Sequence, residues 1–344
     1  MLPRRVLPHQ VHMITRRCSE RRFFLKPTKA TKAIVLYALG VALKATSVEF
    51  YGHVVEANHY HAVVGDPKGE LSAFMQRFDQ LIGRALNAYY GRGESLWCPG
   101  SFSNVEIHDE ETLIRELVYV YSNPVKDGLV ARPELWPGLK TAPEDMGNLT
   151  LTAKKPETAF FGGKRPKNWI ARGTLTPAEV RQAEAEQRQE AARARAEGHR
   201  VRAPRSKLPD EVCIEVKLPA LAEDRETFVS RVRAALEREI EEIHAKRQAD
   251  DKTQFMGAAA IRALDPFASA GSTYPKFKLN PRIASGNQDG ERQHLLRELK
   301  AWRAAYKAAL EEWRNGRRDV VFPPGTNRMA KLHRCVVGEV PLLL

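Results

Sequence analysis

Cysteine is scarce in this 344-residue chain, and the four present, Cys18, Cys98, Cys213 and Cys335, are far apart with no C-x-x-C pair. That spacing argues against a disulfide framework and a zinc knuckle, and suits a reducing compartment. Long apolar runs are also missing. The longest, Ala33 to Leu43, is bounded by Lys32 and Lys44, well short of the about 20 residues a spanning helix needs. No apolar segment follows Arg4 and Arg5, so neither secretion nor membrane association is expected and a cytoplasmic place is. No internal repeat is found. Acidic residues are outnumbered, with 42 Asp+Glu against 55 Lys+Arg and a formal charge of +13. The imbalance disfavours acidic proteins and neutral metabolites as partners and puts nucleic acid first.

What is present follows a regular order. Val6 to Thr15 alternates and carries β-formers, and Ala30 to Ala45 is apolar with helix formers, which predicts a strand and then a helix. Val48 to Val55 and Asn58 to Val64, separated by Glu56-Ala57 and closed by Gly65-Asp66-Pro67, have the pattern of an antiparallel hairpin. Leu71, Phe74, Met75, Phe78, Leu81, Ile82, Ala85 and Tyr89 recur at helical spacing up to Gly91, so a long helix covering the sheet is expected. Ser95 to Ile107, aromatic and turn-rich, reads as a last strand. Asp109 to Tyr121 reads as a helix whose acidic opening suits the positive end of its dipole, with Asn123-Pro124 as its expected end. The order β-α-β-β-α-β-α predicts an α+β, ferredoxin-like antiparallel sheet with helices on one face and a final helix.

Beyond about Ala131 the texture turns Pro-rich and basic, with Lys164-Arg165-Pro166-Lys167 and His199 to Lys207 reading as linkers. Thr176-Pro177-Ala178-Glu179 is a capping box opening an almost wholly polar helix to Gly198. Phe228, Val232, Leu236, Ile240 and Ile243 form one helical stripe, and Leu295, Leu299, Trp302, Tyr306, Leu310 and Trp313 another. These two are expected to pack on each other.

The chemistry starts at His59-Tyr60-His61. Residues two apart on a strand share a face, so both imidazoles can grip one divalent cation, although a lone H-x-H is more often a pair of half-buried polar residues. Tyr119 and Asn123, four apart on the last helix, share a face near its end. Tyr119 also suits a core aromatic, Tyr121 is equally good on composition, and Asn123 suits a cap before Pro124.

Taken together, Asn58-His59-Tyr60-His61, then Leu96-Trp97-Cys98-Pro99-Gly100-Ser101-Phe102, then Tyr119 through Asn123-Pro124-Val125 to Gly128-Leu129-Val130 resemble the REP-associated tyrosine transposases. These belong with the single-tyrosine insertion-sequence transposases of the HUH superfamily. The resemblance runs in order over about Val6 to Gly138. It implies a catalytic domain over 1–138, while composition and patterning make 139–210 a basic Pro-rich linker with a polar helix and 211–344 a helical C-terminal extension. It also implies that His59, His61 and Asn123 hold Mg2+ or Mn2+, that Tyr119 is the nucleophile, and that Tyr121 falls on a variable position. Glu56-Ala57 departs from the family, which more usually has methionine with proline or serine there. Glu56 either adds a carboxylate near the metal or faces solvent.

The activity implied is cleavage and rejoining of single-stranded, hairpin-bearing DNA through a covalent 5′-phosphotyrosine, with no organic cofactor. A monomer or homodimer, nucleoid-associated in a bacterium, is expected. Base stacking and phosphate contacts are expected from Arg16, Arg17, Arg21, Arg22, Phe23 and Phe24, with Lys164, Arg165, Lys167, Arg200, Arg202 and Arg205 extending the basic surface. Two rivals are a domesticated, non-cleaving DNA-binding regulator and a metallohydrolase with a water nucleophile. Ala62-Val63-Val64 after the histidines lacks the extra ligands a dinuclear hydrolase needs.

Overall fold

The structure, a computed structural model, describes residues 4–100, 102–162, 208–222, 224–271, 283–284 and 289–339. The first seven elements are β1 (Gln10–Arg17), α1 (Lys29–Lys44), β2 (Glu49–Val55), β3 (His59–Asp66), α2 (Leu71–Tyr90), β4 (Ser103–Ile107) and α3 (Glu110–Lys126). Local chemistry sets their limits. The Thr28 side chain accepts the Thr31 N–H at the start of α1, and Asp109 accepts that of Thr112 at the start of α3. Gly91 ends α2 with φ 68, a left-handed turn that glycine adopts at little cost.

The class is mixed α+β with a mostly antiparallel sheet, ordered β2-β3-β1-β4. A two-residue strand, β7 (Ile283–Ala284), adds in parallel beside β4. β3 is buried at every position, because both faces of the sheet are covered there. Tyr60 meets Phe78 of α2 at 5.3 Å between ring centroids, while His61 meets Tyr119 of α3 at 5.2 Å. α1 and α2 therefore lie on one face and α3 on the other.

One expectation about α3 is corrected. The helix does not stop at Asn123 but continues through Pro124 to Lys126. A proline in the last turn removes a single backbone bond. The amides of Leu129 and Val130 then cap the Pro124 carbonyl at 2.9 and 3.3 Å.

Packing also continues past residue 138. β5 (Thr150–Lys154) pairs antiparallel with β6 (Glu211–Glu215), and Val212 and Ile214 lie against Gly40 of α1. A β-carbon on Gly40 would stand 2.4 Å from Val212 Cγ2. Gly40→Ala is expected to destabilise the chain by about 1–3 kcal/mol through overpacking, a change that urea unfolding followed by circular dichroism measures. The 163–207 segment, with Lys164, Arg165, Lys167, the Thr176 to Gly198 helix, Arg200, Arg202 and Arg205, lies outside the described residues.

The two later stripes do not pair as expected. α4 (Arg225–Ala249) buries Phe228, Val232, Leu236, Ile240 and Ile243 against α3. α3 has Leu113, Ile114, Leu117, Val118 and Val120 all buried, so it is apolar on more than one side and needs a second cover besides the sheet. A short α5 (Ala258–Ala263) follows. α6 (Asp289–Arg314) instead sets Tyr306 on Phe322 and donates from Trp302 Nε1 to the Pro324 carbonyl at 2.6 Å. Tyr306 and Phe322 belong to a separate small cluster built by α6 with β8 (Val321–Phe322), α7 (Asn327–His333) and β9 (Val336–Val337). No described helix is long and apolar enough to cross a membrane.

Candidate active site

Strand periodicity puts His59 and His61 on one face of β3, their rings edge to face at 4.8 Å. Each is oriented by a neighbour. His59 Nδ1 is 2.6 Å from Asn58 Oδ1, and His61 Nδ1 is 2.7 Å from Thr15 Oγ1 on β1, the residue opposite it in register. Such contacts select the ring nitrogen left to a ligand. Burial, reinforced by Arg17, lowers the His59 pKa to about 4, and burial takes His61 well below its ordinary value. Both imidazoles are therefore neutral, the form that binds metal.

α3 supplies the other half. Tyr119 is half-buried with its ring 5.2 Å from that of His61, and the Lys126 ammonium lies 5.0 Å from the ring centroid. Burial and the carboxyl of Asp127 raise its phenol pKa, while a hydrogen bond from Asn123 opposes them. The Asn123 amide also lies close enough to His59 to act on its ring, so one amide stands beside both phenol and imidazole. It is 3% exposed and sits inside the helix rather than capping a later turn, and its Oδ1 has no hydrogen-bond partner. Tyr121 points elsewhere. Its hydroxyl is so close to Gly52 that a β-carbon there would stand 2.6 Å away, and burial pushes its phenol far up.

Two carboxyl groups join this cluster: Glu56, for which the sequence leaves open a place near the metal or in solvent and which is buried, and Asp127, which motif spacing does not single out. Glu56, in the turn between β2 and β3, is 2% exposed with Oε1 unpartnered, and Oε2 lies 3.7 Å from His59 Nδ1. Asp127 follows α3 directly. One ligand atom each from Glu56, His59 and Asp127 fall within 4.8 Å of one another. Burial raises both carboxyls, Glu56 furthest and with help from Asp127, while Arg17 opposes. The signal for Asp127 was there to be read, since Tyr119, Asn123 and Asp127 are spaced i, i+4, i+8 along one helical face. Arg17 completes the rim, exposed and opposite His59 in register.

The donor set fits a divalent cation. Ligand atoms of His59, Glu56 and Asp127 converge, with the His61 ring and the Asn123 amide adjacent to His59, and Glu56 Oε1 and Asn123 Oδ1 lack any hydrogen-bond partner. Buried acceptors left so are costly unless a cation or water meets them.

The residues expected to read DNA divide. Arg17 and Arg21 act electrostatically on His59, so they stand beside the site. Arg16 faces the other way, 3.5 Å from Asp79 and over Trp97. Asp79 also accepts from Tyr60 at 2.6 Å, and its carbonyl accepts from Trp97 at 2.9 Å. This network ties the Trp97 loop to the back of the histidine strand. Arg22 pairs with Glu20, and Phe23 is half-buried. Phe24 is corrected outright: fully buried between Tyr90, Phe267 and the Arg92 guanidinium, it has no ring face left for a base.

No family model matches the chain, and no curated protein matches it. The solved structure of the REP-associated tyrosine transposase bound to a REP hairpin is similar to this chain at 20% identity, over 41% of this chain and 82% of that one, with a TM-score of 0.36.

Proposed function

We propose that this chain is a metal-dependent enzyme of the transposase type that cuts and rejoins single-stranded, hairpin-bearing DNA, with Tyr119 as nucleophile and Mg2+ or Mn2+ held by His59, His61 and Asn123. One observation carries the reading: the Tyr119 ring packs edge to face on His61, with His59 beside it and the Asn123 amide next to both Tyr119 and His59. A phenol packed for structure alone does not need two neutral histidines and an orphaned amide oxygen beside it. The sheet order and the β-α-β-β-α-β start support a ferredoxin-like reading of the unit.

When bound, the cation would polarise the phosphoryl group and offset the charge developing on it. The chain's own residues do the rest. Asn123 orients the phenol, and Arg17, exposed at the rim, offers a guanidinium to the phosphate oxygens. Tyr119 gives up its phenolic proton as its oxygen forms the bond to phosphorus. The bond from phosphorus to the 3′-oxygen breaks, and that oxygen takes up a proton. The product is a 5′-phosphotyrosine and a free 3′-hydroxyl. Attack by a 3′-hydroxyl on the same ester reverses each change, so rejoining needs no nucleotide cofactor.

Purified chain incubated with labelled hairpin-bearing DNA and Mn2+ is expected to give a covalent adduct on a denaturing gel, lost when a chelator is added. DNA binding without an adduct in either Mg2+ or Mn2+ would favour the non-cleaving regulator instead.

A further inference from the structure

We propose that Glu56 and Asp127 are themselves ligands of the divalent cation, sharing it with His59, so that this chain holds its metal with carboxylates as well as imidazole and amide. The inference rests on the reading above only in placing a metal beside His59.

Distance comes first. Three ligand atoms that lie within 4.8 Å of one another can all be reached from a point about 2.8 Å away or less, and hard cations bind oxygen at roughly 2.0–2.6 Å. Burial is the second, independent argument. A carboxylate in a hairpin turn ordinarily sits in water, yet Glu56 is 2% exposed, and one of its oxygens has no partner. Its other carboxylate oxygen, Oε2, lies 3.7 Å from His59 Nδ1. Asn123 Oδ1, buried and also unpartnered, belongs to a residue that stands beside the same histidine. Two buried, partnerless oxygens on residues from different elements, both neighbouring His59, describe a cation's coordination shell better than a packing accident.

The arrangement has a mechanical consequence. Glu56 precedes the histidine strand and Asp127 ends the tyrosine helix, so a cation held by both ties α3 to the β2-β3 turn. The position of Tyr119 then depends on occupancy. Carboxylate oxygens also suit Mg2+ and Mn2+ better than softer ions.

The test is Mn2+ binding by the full-length chain without DNA, read from the loss of the free-ion paramagnetic resonance signal and from the Mn2+-induced rise in melting temperature. Glu56→Gln keeps the size and removes the charge. It is expected to weaken Mn2+ at least tenfold and to shrink the melting shift, with Asp127→Asn weakening it several-fold. If Glu56→Gln fails to fold, Asp127→Asn at the rim carries the test alone. Wild-type Mn2+ affinity in a folded Glu56→Gln chain overturns the proposal, as does the absence of Mn2+ binding by the wild type. Should Glu56→Gln retain both Mn2+ affinity and the DNA adduct, the carboxylate ligands fall and the transposase reading stands. Should the wild type bind Mn2+ through Glu56 yet form no adduct, the reverse holds.

Discussion

Tyr119→Phe is expected to abolish the covalent DNA adduct, a loss of at least about a thousandfold, while Tyr121→Phe leaves it. The two tyrosines are two residues apart on one helix, and two residues turn a helix by about 200°. α3 thus points one phenol at His61 and the other at Gly52 on β2. The removed atom in Tyr119→Phe is the nucleophile itself, and the ring that packs on His61 stays. Folding and Mn2+ binding should accordingly survive. In Tyr121→Phe the missing hydroxyl lies in the core beside Gly52, so its effect is read in the melting temperature and not in the gel. An adduct that persists in Tyr119→Phe and vanishes in Tyr121→Phe would reverse the assignment. Mass spectrometry of the adduct peptide, which contains both residues, distinguishes them directly.

A second large effect is expected from acid, and it arises away from the site. His12 and His53 are fully buried, and all four of their ring nitrogens lack hydrogen-bond partners. Burial alone lowers His53 to about 4. For His12 burial does the same, against the opposing pull of Glu106. The unfolded chain takes up these protons near pH 6.5 and the folded chain only near 4. As pH falls through that window the unfolded state binds more protons and stability is lost, by up to about 3 kcal/mol per histidine and about 2 kcal/mol at pH 5. Asp79 works against them. Burial raises its carboxyl to about 6, so the folded chain takes up that proton first and gains stability as pH drops below 6.

Net acid stability mixes these signs, so the informative quantity is a difference between variants. His53→Leu, beside Phe50 at 5.1 Å, is expected to flatten the fall in urea stability between pH 7.5 and 5 by about 2 kcal/mol, and His12→Leu to do likewise. Slopes identical to the wild type would mean that water reaches these rings. Losses of this size are a large share of the roughly 5–15 kcal/mol that holds a domain folded.

Much of the fold is legible in the sequence because it is local. Apolar residues at period two and at 3.6, a threonine or aspartate before each helix and a glycine after one define β1 to α3 to within a few residues. The H-x-H pair needs only strand pleating to share a face, and Tyr119 and Asn123 need only the helical repeat. What lies beyond that reach is pairing between distant segments. Both later stripes are correctly read as amphipathic, but an apolar stripe carries no address. α3 was apolar on two sides and took α4, leaving α6 to a cluster of its own. The arginine and phenylalanine run after β1 shows the same limit. Composition cannot separate Arg17 at the site from Arg16 on the opposite face, or tell that Phe24 belongs to the core.

The sequence by itself determined the elements, the shared face of His59 and His61, and the shared face of Tyr119 and Asn123, since each follows from a backbone repeat. Only the tertiary structure decided that those two faces meet, that Tyr121 turns away, and that Glu56 and Asp127 converge on His59. These depend on how α3 crosses the sheet, and that crossing is set by the burial of many side chains at once, not by any spacing along the chain.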